Sequence, residues 1–245
     1  MIGNVKVISL DRSIERKNEF IKNNSAIKYE FVSAVDGQLL TSQDISKAEH
    51  FINPLPFPSR GAYGVALSHL KLWNEAIEAG VSVTVAEDDA IFRSDFHVKT
   101  EVLISELPSD WDIVLWGWNF DSILSLVAMP NISPSVMLFS QALLRQNITH
   151  FQKDRSIIHT FKLDKCFGLP CYTISPTGAK KFKQLCFPLK NFELFFPVLN
   201  RKIPNTGIDI AMNRIYSTTN SYVSFPPLVV TKNEHEISTI QKIHR

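Results

Sequence analysis

One short stretch limits what this chain can fold into more than any other. Residues 81–86 are β-branched and apolar enough to predict a buried strand, and three carboxylates follow at once, Glu87, Asp88 and Asp89. Open α/β sheets place their ligands at the carboxyl ends of their strands, so the pattern predicts a site at this position. Three adjacent negative charges repel one another unless a cation lies among them.

The three acids are predicted to divide between two sides of the chain. Side chains alternate along an extended backbone, which puts Glu87 and Asp89 on one side and Asp88 on the other. Two carboxylates on one side offer the hard oxygen ligands that Mg²⁺ or Mn²⁺ takes when it also contacts substrate phosphates. A solvated acidic turn after a strand is the alternative.

Length and composition favour an ordinary globular protein. The chain has 245 residues with 44% hydrophobic content, enough for one large α/β domain or two small ones. A net charge of +2 excludes the charge density of a nucleic-acid binder. Local basic clusters at 180–181 and 242–245 allow at most a peripheral contact with an anionic surface.

The cysteines and the N-terminus indicate the cellular compartment. Three cysteines without metal-ligand spacing predict neither a disulfide framework nor a zinc site, and the N-terminus lacks a secretory pattern, so we expect a cytoplasmic protein.

Residues 122–144 carry no charge, but Pro130, Asn131 and Pro134 interrupt them. We therefore predict an apolar, partly irregular wall and not a transmembrane helix.

The N-terminus predicts a strand followed directly by a helix, the opening of a nucleotide-type α/β unit. Residues 5–10 form the strand, and Asp11, Arg12 and Arg16 lie at or just inside the helix start. These charges fall at the same sheet edge as the acids, where an arginine could bind a base, ribose or phosphate. An ordinary helix-start charge pair is equally compatible with the pattern.

Two more segments bring polar side chains toward this edge. A strand at 29–35 ends in Asp36, with a simple turn as the alternative reading. A helix at 62–79, closed by glycine, carries Ser68 and His69 on or beside its apolar stripe. For His69 we favour a structural role that braces the acidic loop over ligand binding.

Further strands are predicted at 111–118, 171–175 and 225–230, the last at a sheet edge. Tryptophan can stack on a sugar ring or fill a core. We expect Trp116 in the core and propose Trp118, just past a glycine, as a ligand contact.

The last third of the chain holds one more candidate for catalysis. A helix is predicted from about 208 to 216, with Asp209 near its N-terminus, where the helix dipole should keep the carboxylate ionised. A plain capping acid is the alternative. Residues 182–196 contain five phenylalanines, which form either core or an exposed face for a lipid-linked partner.

Several motifs, taken in order, resemble glycosyltransferase family 25, the bacterial lipooligosaccharide glycosyltransferases related to the collagen galactosyltransferases. The similarity covers nearly the whole chain and lies in residues 7–12 with Arg16, 33–37, 61–69 with Trp73, 87–89, 172–179 and 226–229. Ala86 departs from the pattern, since a bulkier aliphatic residue is usual there, which should alter packing and not ligation.

The resemblance implies a single-domain, GT-A-like (Rossmann-like) α/β fold, a mixed sheet flanked by helices. It also implies inverting transfer of a hexose, galactose or glucose, from a UDP-sugar to a lipooligosaccharide or LPS core acceptor. Mn²⁺ or Mg²⁺ would be the cofactor, and the protein would lie in the cytoplasm or at the cytoplasmic face of the inner membrane. Residues 1–120 would bind the donor, and residues 121–245 would face the acceptor.

Residue roles follow from the motifs and from the chemistry. A diphosphate leaving group needs its developing charge neutralised, so the metal is assigned to Glu87 and Asp89 and the general base to Asp209. The residues assigned to donor binding are Asp11, Arg12, Arg16, Asp36, Ser68, His69, Asp88 and Trp118. A metal-dependent nucleotidyl- or phosphotransferase, or a non-catalytic nucleotide-sugar-binding module, would use the same acids.

Overall fold

A computed structural model describes residues 3–233, and the basic cluster at 242–245 lies outside this range. The strands are β1 (Val5–Ser9), β2 (Tyr29–Ser33), β3 (Phe51–Ile52), β4 (Val83–Glu87), β5 (Ala90–Phe92), β6 (Ile113–Leu115), β7 (Ile123–Met129), β8 (Ser133–Leu138), β9 (His159–Cys166), β10 (Cys171–Ile174), β11 (Leu189–Lys190), β12 (Glu193–Phe196), β13 (Arg201–Pro204), β14 (Ser221–Phe225) and β15 (Val229–Thr231). The helices are α1 (Ile14–Asn23), α2 (Ser42–Ile45), α3 (Arg60–Ala79), α4 (Phe96–Ser105), α5 (Gln141–Gln146), α6 (Ile148–Lys153), α7 (Pro176–Cys186) and α8 (Ile208–Asn213). Two 3-10 turns, Pro197–Leu199 and Tyr216–Thr218, complete the regular structure.

A nine-stranded mixed sheet in the order β2-β1-β4-β10-β6-β14-β9-β7-β8 organises the molecule. Strand β1 pairs in parallel with β2 and β4, whereas β10 runs antiparallel to both β4 and β6. Helices flank this sheet, which confirms the predicted α/β class with a Rossmann-like mixed sheet. Strands from the early and late parts of the chain alternate at its centre, and the division at about residue 120 stays a prediction.

Both faces of the sheet carry hydrophobic core. On one face α3 and α7 cover a cluster that includes Trp73 and Phe182, and on the other Phe20, Phe92 and Trp116 pack together. Strands β4, β6 and β10 are buried almost throughout, as expected of strands covered on both faces. The carboxyl end of β4 is therefore fixed by a rigid centre.

Helix α3 follows its prediction closely. It begins two residues earlier than expected and ends at Ala79, after which Gly80 adopts φ 65°. That left-handed conformation suits glycine and stops the helix, because glycine has no Cβ to clash with the preceding turn. The helix leads directly into β4 and packs against it.

The uncharged segment 122–144 is more regular than predicted. It forms the β7–β8 hairpin and the start of α5, with Asn131 at φ 61° in the turn. The prediction that this segment is partly irregular was wrong. Strand β7 pairs with β8 and with β9, and this pairing satisfies the backbone groups. Among the helices that the structure describes, none is long and apolar enough to cross a membrane.

The segment 225–230 also differs from its prediction of one edge strand. Its first residue ends β14, which lies inside the sheet between β6 and β9, and its last residues belong to β15, which pairs with β5. Pro226 and Pro227 separate the two strands, since neither can donate to a strand ladder. Helix α8 likewise ends at Asn213, earlier than expected.

Candidate functional site

The acidic turn joins two buried strands at the predicted sheet edge. Glu87 is the last residue of β4, and Asp88 and Asp89 form the connection to β5. Parallel pairing with β1 brings Ser9 and the start of α1 beside the turn. Ser9 Oγ donates to Asp88 Oδ2 over 2.7 Å, and Arg16 Nε donates to Asp88 Oδ1 over 2.7 Å.

Arg16 supplies one positive charge among the three acids. Its guanidinium makes an ion pair with Asp88 and lies 3.7 Å from Asp89 Oδ2. Asp88 is buried, and both of its carboxylate oxygens accept hydrogen bonds from the protein. Asp88 and Arg16, both assigned to the donor, thus brace the turn, and Arg16 also lines a small cavity of about 50 Å³ beside Asp89.

Glu87 and Asp89 are less fully compensated, although a hydrogen bond with Thr231 favours the ionised form of Asp89. Burial raises the pKa of Glu87 to about 8, and the charge of Asp89 adds to the shift. Burial also raises the pKa of Asp89, although Arg16 opposes that rise. Asp89 Oδ1 is buried, and the structure gives it no hydrogen-bond partner among the described residues. The negative charge of the turn is therefore not fully balanced by the described residues.

A divalent cation shared with a phosphate fits these two carboxylates. Within residues 3–233 no group of three or more His, Cys, Asp or Glu side chains is arranged to hold a metal by itself. Mg²⁺ is commonly bound through one or two carboxylates together with substrate phosphates, and Glu87 with Asp89 supplies that number. The unpartnered Asp89 oxygen is the observation that fits a cation at this position.

Asp209, the predicted base, lies in the other half of the chain at the start of α8. Gly168 N donates to its Oδ2 over 3.3 Å, and Ile210 N donates to its Oδ1 over 2.9 Å. Its charge is among those that raise the pKa of Glu87, so the two carboxylates lie within electrostatic reach of each other. Gly168 adopts φ 78°, a conformation that favours glycine, where its backbone meets Asp209.

The expected low pKa of Asp209 is corrected by the structure. A helix start was expected to keep the carboxylate ionised, but burial raises the pKa of Asp209 in spite of the two backbone hydrogen bonds. Helix α8 has only six residues, so its dipole contributes little against the loss of hydration. Asp209 is therefore a stronger base than an exposed aspartate.

The charges before α1 contact β2 and the loop that follows it. Arg12 makes an ion pair with Asp36, and Asp11 Oδ1 accepts a hydrogen bond of 2.8 Å from Ser33 Oγ. Arg12 is thus paired, but with an acid from the loop after β2 and not with one at the helix start. Asp11 and Arg12 remain exposed to solvent at the sheet edge.

Ser68 acts through the loop that carries Asp36. Val35 N donates to Ser68 Oγ over 2.8 Å, and the hydroxyl donates to Gly64 O over 2.7 Å. A Cβ on Gly64 would lie 2.7 Å from Gly37 N, so only glycine permits this approach. Ser68 is buried, and its hydroxyl is used in these two hydrogen bonds. Its role is therefore to hold this loop against α3 and not to bind the donor as assigned.

His69 is a core residue, as favoured from the sequence. Its Nδ1 lies 2.8 Å from Tyr172 Oη, which also accepts a hydrogen bond of 2.9 Å from Trp73 Nε1. Burial lowers the pKa of His69 to about 4, so the ring is neutral at physiological pH. Tyr172, on β10 beside β4, was missed as a polar group, because a tyrosine in an apolar strand reads as core.

Trp118 is buried completely, which corrects its proposed role as a ligand contact. Its ring stacks between Phe120 and Phe225 with centroid distances of 5.7 and 6.2 Å. These contacts leave no ring face open to a sugar. The glycine before it serves packing, since a Cβ on Gly117 would collide with the backbone of Val229.

The fold and this site agree with one family of proteins. A model of Glycosyltransferase family 25 (LPS biosynthesis protein) matches residues 3–197, and the chain belongs to that family. Procollagen galactosyltransferase 1 of Danio rerio is 30% identical over 219 residues, which cover 82% of this chain and 32% of that protein. "Probable inactive glycosyltransferase 25 family member 3" of Bos taurus is 32% identical over 126 residues, covering 46% of this chain and 21% of that protein.

These matches limit what family membership establishes. The chain spans only 21 to 32% of the length of these two relatives, and one of them is named inactive. A solved structure, A197 from STIV, matches with a TM-score of 0.42 and 12% identity over 94% of this chain and 83% of that one, too distant a likeness to support a conclusion. Catalysis has to be argued from the site itself.

Proposed function

We propose that the protein is a metal-dependent, inverting glycosyltransferase that transfers a hexose from a UDP-sugar to a lipooligosaccharide or LPS core acceptor. One observation carries the proposal, namely that Glu87 and Asp89 at the end of β4 have raised pKa values and one unpartnered oxygen, with Asp209 within electrostatic reach of Glu87. The family's description names LPS biosynthesis, which supports the acceptor class. The galactosyltransferase name of a relative supports galactose, with glucose as the other hexose.

The donor side of the reaction requires neutralisation of a diphosphate. When Mn²⁺ or Mg²⁺ is bound by Glu87 and Asp89, it supplies positive charge where the leaving group develops negative charge. Arg16 holds Asp88 and thereby fixes the turn from which both ligands extend. Arg12, exposed beside Asp36, would contact the nucleotide.

Asp209 would act as general base on the acceptor hydroxyl. Inverting transfer needs a group that takes a proton as the hydroxyl attacks the sugar from the face opposite the leaving group. A carboxylate whose pKa is raised by burial is a better proton acceptor than a fully solvated one, provided that it is ionised at the working pH. Gly168 and Ile210 hold its two oxygens through backbone hydrogen bonds and so orient it.

Incubation with Mn²⁺ and a panel of UDP- and GDP-sugars tests this function against its alternatives. We expect free UDP from UDP-galactose or UDP-glucose, at a rate that rises when a lipooligosaccharide acceptor is added. A nucleotidyl- or phosphotransferase would instead consume nucleoside triphosphate. Donor binding without UDP release, measured by calorimetry, would indicate a binding module, which the inactive name of one relative makes a specific alternative.

The proposed location follows from the acceptor. A lipid-linked core oligosaccharide is a membrane substrate, so we place the protein in the cytoplasm at the cytoplasmic face of the inner membrane. No nucleic-acid partner is proposed, because the net charge of +2 is small for a chain of this length.

A further inference from the structure

The hairpin of β12 and β13 exposes large apolar side chains at its closed end. The strands pair antiparallel from Glu193 opposite Pro204 to Phe196 opposite Arg201, and the 3-10 turn joins them. The side chains of Phe195, Val198 and Leu199, which we call the hairpin tip, are 51%, 51% and 40% exposed. Adjacent exposed apolar side chains mark a surface that another apolar phase can cover.

The opposite side of this hairpin is well packed. Leu194 and Phe196 are buried in one cluster with Ile123, Phe167 and Ile210. Side chains alternate along β12, so the same pairing that buries Leu194 and Phe196 turns Phe195 outward. The exposure of the hairpin tip is thus fixed by a packed hairpin, and the hairpin rests on α8, which carries Asp209.

Basic side chains lie on the hairpin and at its base. Residues 190–204 contain three basic residues, Lys190, Arg201 and Lys202, all exposed, and one acid, Glu193. Lys202 pairs with that acid over 3.2 Å, while the structure shows no ion pair for Lys190 or Arg201 within the described part of the chain. Anionic lipids attract basic side chains near a membrane surface, and apolar side chains between them enter the interface.

The dimensions suit an interfacial position. Each strand of the hairpin has four residues, and four residues of strand rise roughly 13 Å. Apolar groups of interfacial segments enter about 5–10 Å into the boundary between headgroups and acyl chains. Lys190, at the base of the hairpin, would stay at the level of the headgroups, and Asn205 ties its backbone to the end of β13 through a hydrogen bond of 2.8 Å.

The β7–β8 hairpin provides a contrast within the same molecule. Met129 and Ile132 at its turn are 50% and 80% exposed, so its apolar surface is comparable. It carries no charged residue, however, since none lies in 122–144. Charge therefore distinguishes the two hairpins and selects β12–β13 for an anionic surface.

We propose that the β12–β13 hairpin docks this protein on an anionic lipid bilayer, with the hairpin tip inserted and Lys190, Arg201 and Lys202 at the headgroups. Docking by this element holds α8 near the membrane, because Ile210 packs against the hairpin's buried side. A lipid-linked acceptor would then meet Asp209 from the membrane, a consequence that rests on the proposed function.

Vesicle sedimentation without donor or metal tests the docking by itself. The protein should bind vesicles of phosphatidylcholine mixed equally with phosphatidylglycerol and should bind pure phosphatidylcholine much more weakly. Lys190→Gln with Arg201→Gln should weaken binding to mixed vesicles roughly 30-fold. Val198→Asn with Leu199→Asn should weaken it at least roughly 10-fold.

Met129→Asn with Ile132→Asn is the matched control and should bind like the wild type. The proposal would be overturned if the control lost as much vesicle binding as the β12–β13 variants, or if both of those variants bound like the wild type. Failure of the wild type to bind mixed vesicles would also overturn it. Val198→Trp adds a direct measurement, since its fluorescence should be quenched by brominated acyl chains, and the absence of quenching counts against insertion.

Activity separates this proposal from the proposed function. UDP release from the donor in vesicle-free solution should be the same in the wild type and in all the hairpin variants. Vesicle binding without UDP release would sustain the docking and refute the glycosyltransferase reaction. UDP release without vesicle binding would support the glycosyltransferase reaction and refute the docking.

Discussion

At the scale of single residues, the site is a balance between one buried carboxylate, two partly buried ones and one arginine. Asp88 is satisfied by Ser9 and Arg16, whereas Glu87 and Asp89 keep raised pKa values. Neutral acids are tolerated in such a setting, but two charged ones need a further cation. Substitutions that remove charge without changing shape therefore separate metal binding from folding.

Asp89→Asn should reduce Mn²⁺-dependent UDP release at least roughly 100-fold while leaving the protein folded. The amide removes a charged ligand, and a single remaining carboxylate holds a divalent cation weakly. Steady-state assays across a Mn²⁺ titration provide the measurement, with thermal unfolding as the folding check. Glu106→Gln, an exposed acid at the end of α4, is the control. Turnover near the wild-type level at unchanged Mn²⁺ dependence would remove Asp89 from the metal site.

Asp209→Asn should lower transfer to the acceptor by roughly 10²–10⁴-fold, the usual contribution of a general base. Donor and Mn²⁺ binding should persist, because Glu87 and Asp89 are unchanged, and calorimetry can measure both. The wild-type kcat/KM should also fall on the acid side at a pH above the ordinary aspartate range, since burial raises the pKa of Asp209.

Two other outcomes would reassign Asp209. Transfer at a normal rate would leave it as a capping residue, and the base would be sought at Asp121, Asp154 or Asp164. All three are already engaged, since Asp121 accepts a hydrogen bond from Asn233, Asp154 pairs with Arg93 and Asp164 pairs with Lys165. Loss of donor binding in Asp209→Asn would instead place Asp209 in the donor or metal site.

At the scale of elements, helix α3 positions the proposed donor-binding residues through its close approach to the loop after β2. Because Gly64 and Gly37 have no side chains, the backbones of the helix and the loop can contact each other, and Ser68 Oγ stabilises this contact by accepting a hydrogen bond from Val35 N. The loop carries Asp36, which pairs with Arg12. A helix thus sets the position of an ion pair that it does not itself touch.

Gly64→Ala should destabilise the fold and at the same time shift the loop that carries Asp36. The added methyl would lie 2.7 Å from Gly37 N, and such overpacking costs about 1–3 kcal/mol. Alanine's higher helix propensity offsets about 1 kcal/mol of that cost. We expect a lower melting temperature and a higher KM for the donor in calorimetry and kinetics. Gly3→Ala, with no atom within 4 Å of the new methyl, should change neither quantity.

At the scale of the whole molecule, the central sheet joins the two parts of the chain electrostatically. Strand β4 carries Glu87, and β9 leads to Gly168, which holds Asp209. The charges of Asp88, Asp89 and Asp209 all raise the pKa of Glu87. Stability, metal binding and pH are therefore linked through the carboxyl group of Glu87.

The metal-free protein should lose stability as the pH rises from about 4.5 to about 8. In that window folded Glu87 keeps its proton while the unfolded chain releases it, so the folded state binds more protons and a rise in pH favours unfolding. Mn²⁺ competes with that proton, and its stabilising effect should grow over the same range.

Melting temperatures measured across this pH range, with and without Mn²⁺, test the linkage. Glu87→Gln carries no titrating proton and should show a smaller pH slope and a smaller response to Mn²⁺ than the wild type. Equal slopes in the two proteins would show that Glu87 does not carry the linkage.

The sequence by itself determined the features that depend on neighbours in the chain. The strand that ends in Glu87, the helix closed by Gly80 and the presence of a cation among the acids all follow from local periodicity, glycine conformation and charge. Only the tertiary structure decided the rest. Asp209 comes within electrostatic reach of Glu87, Trp118 is buried in the core, and the hairpin tip stays exposed, because burial and desolvation depend on residues far away in sequence.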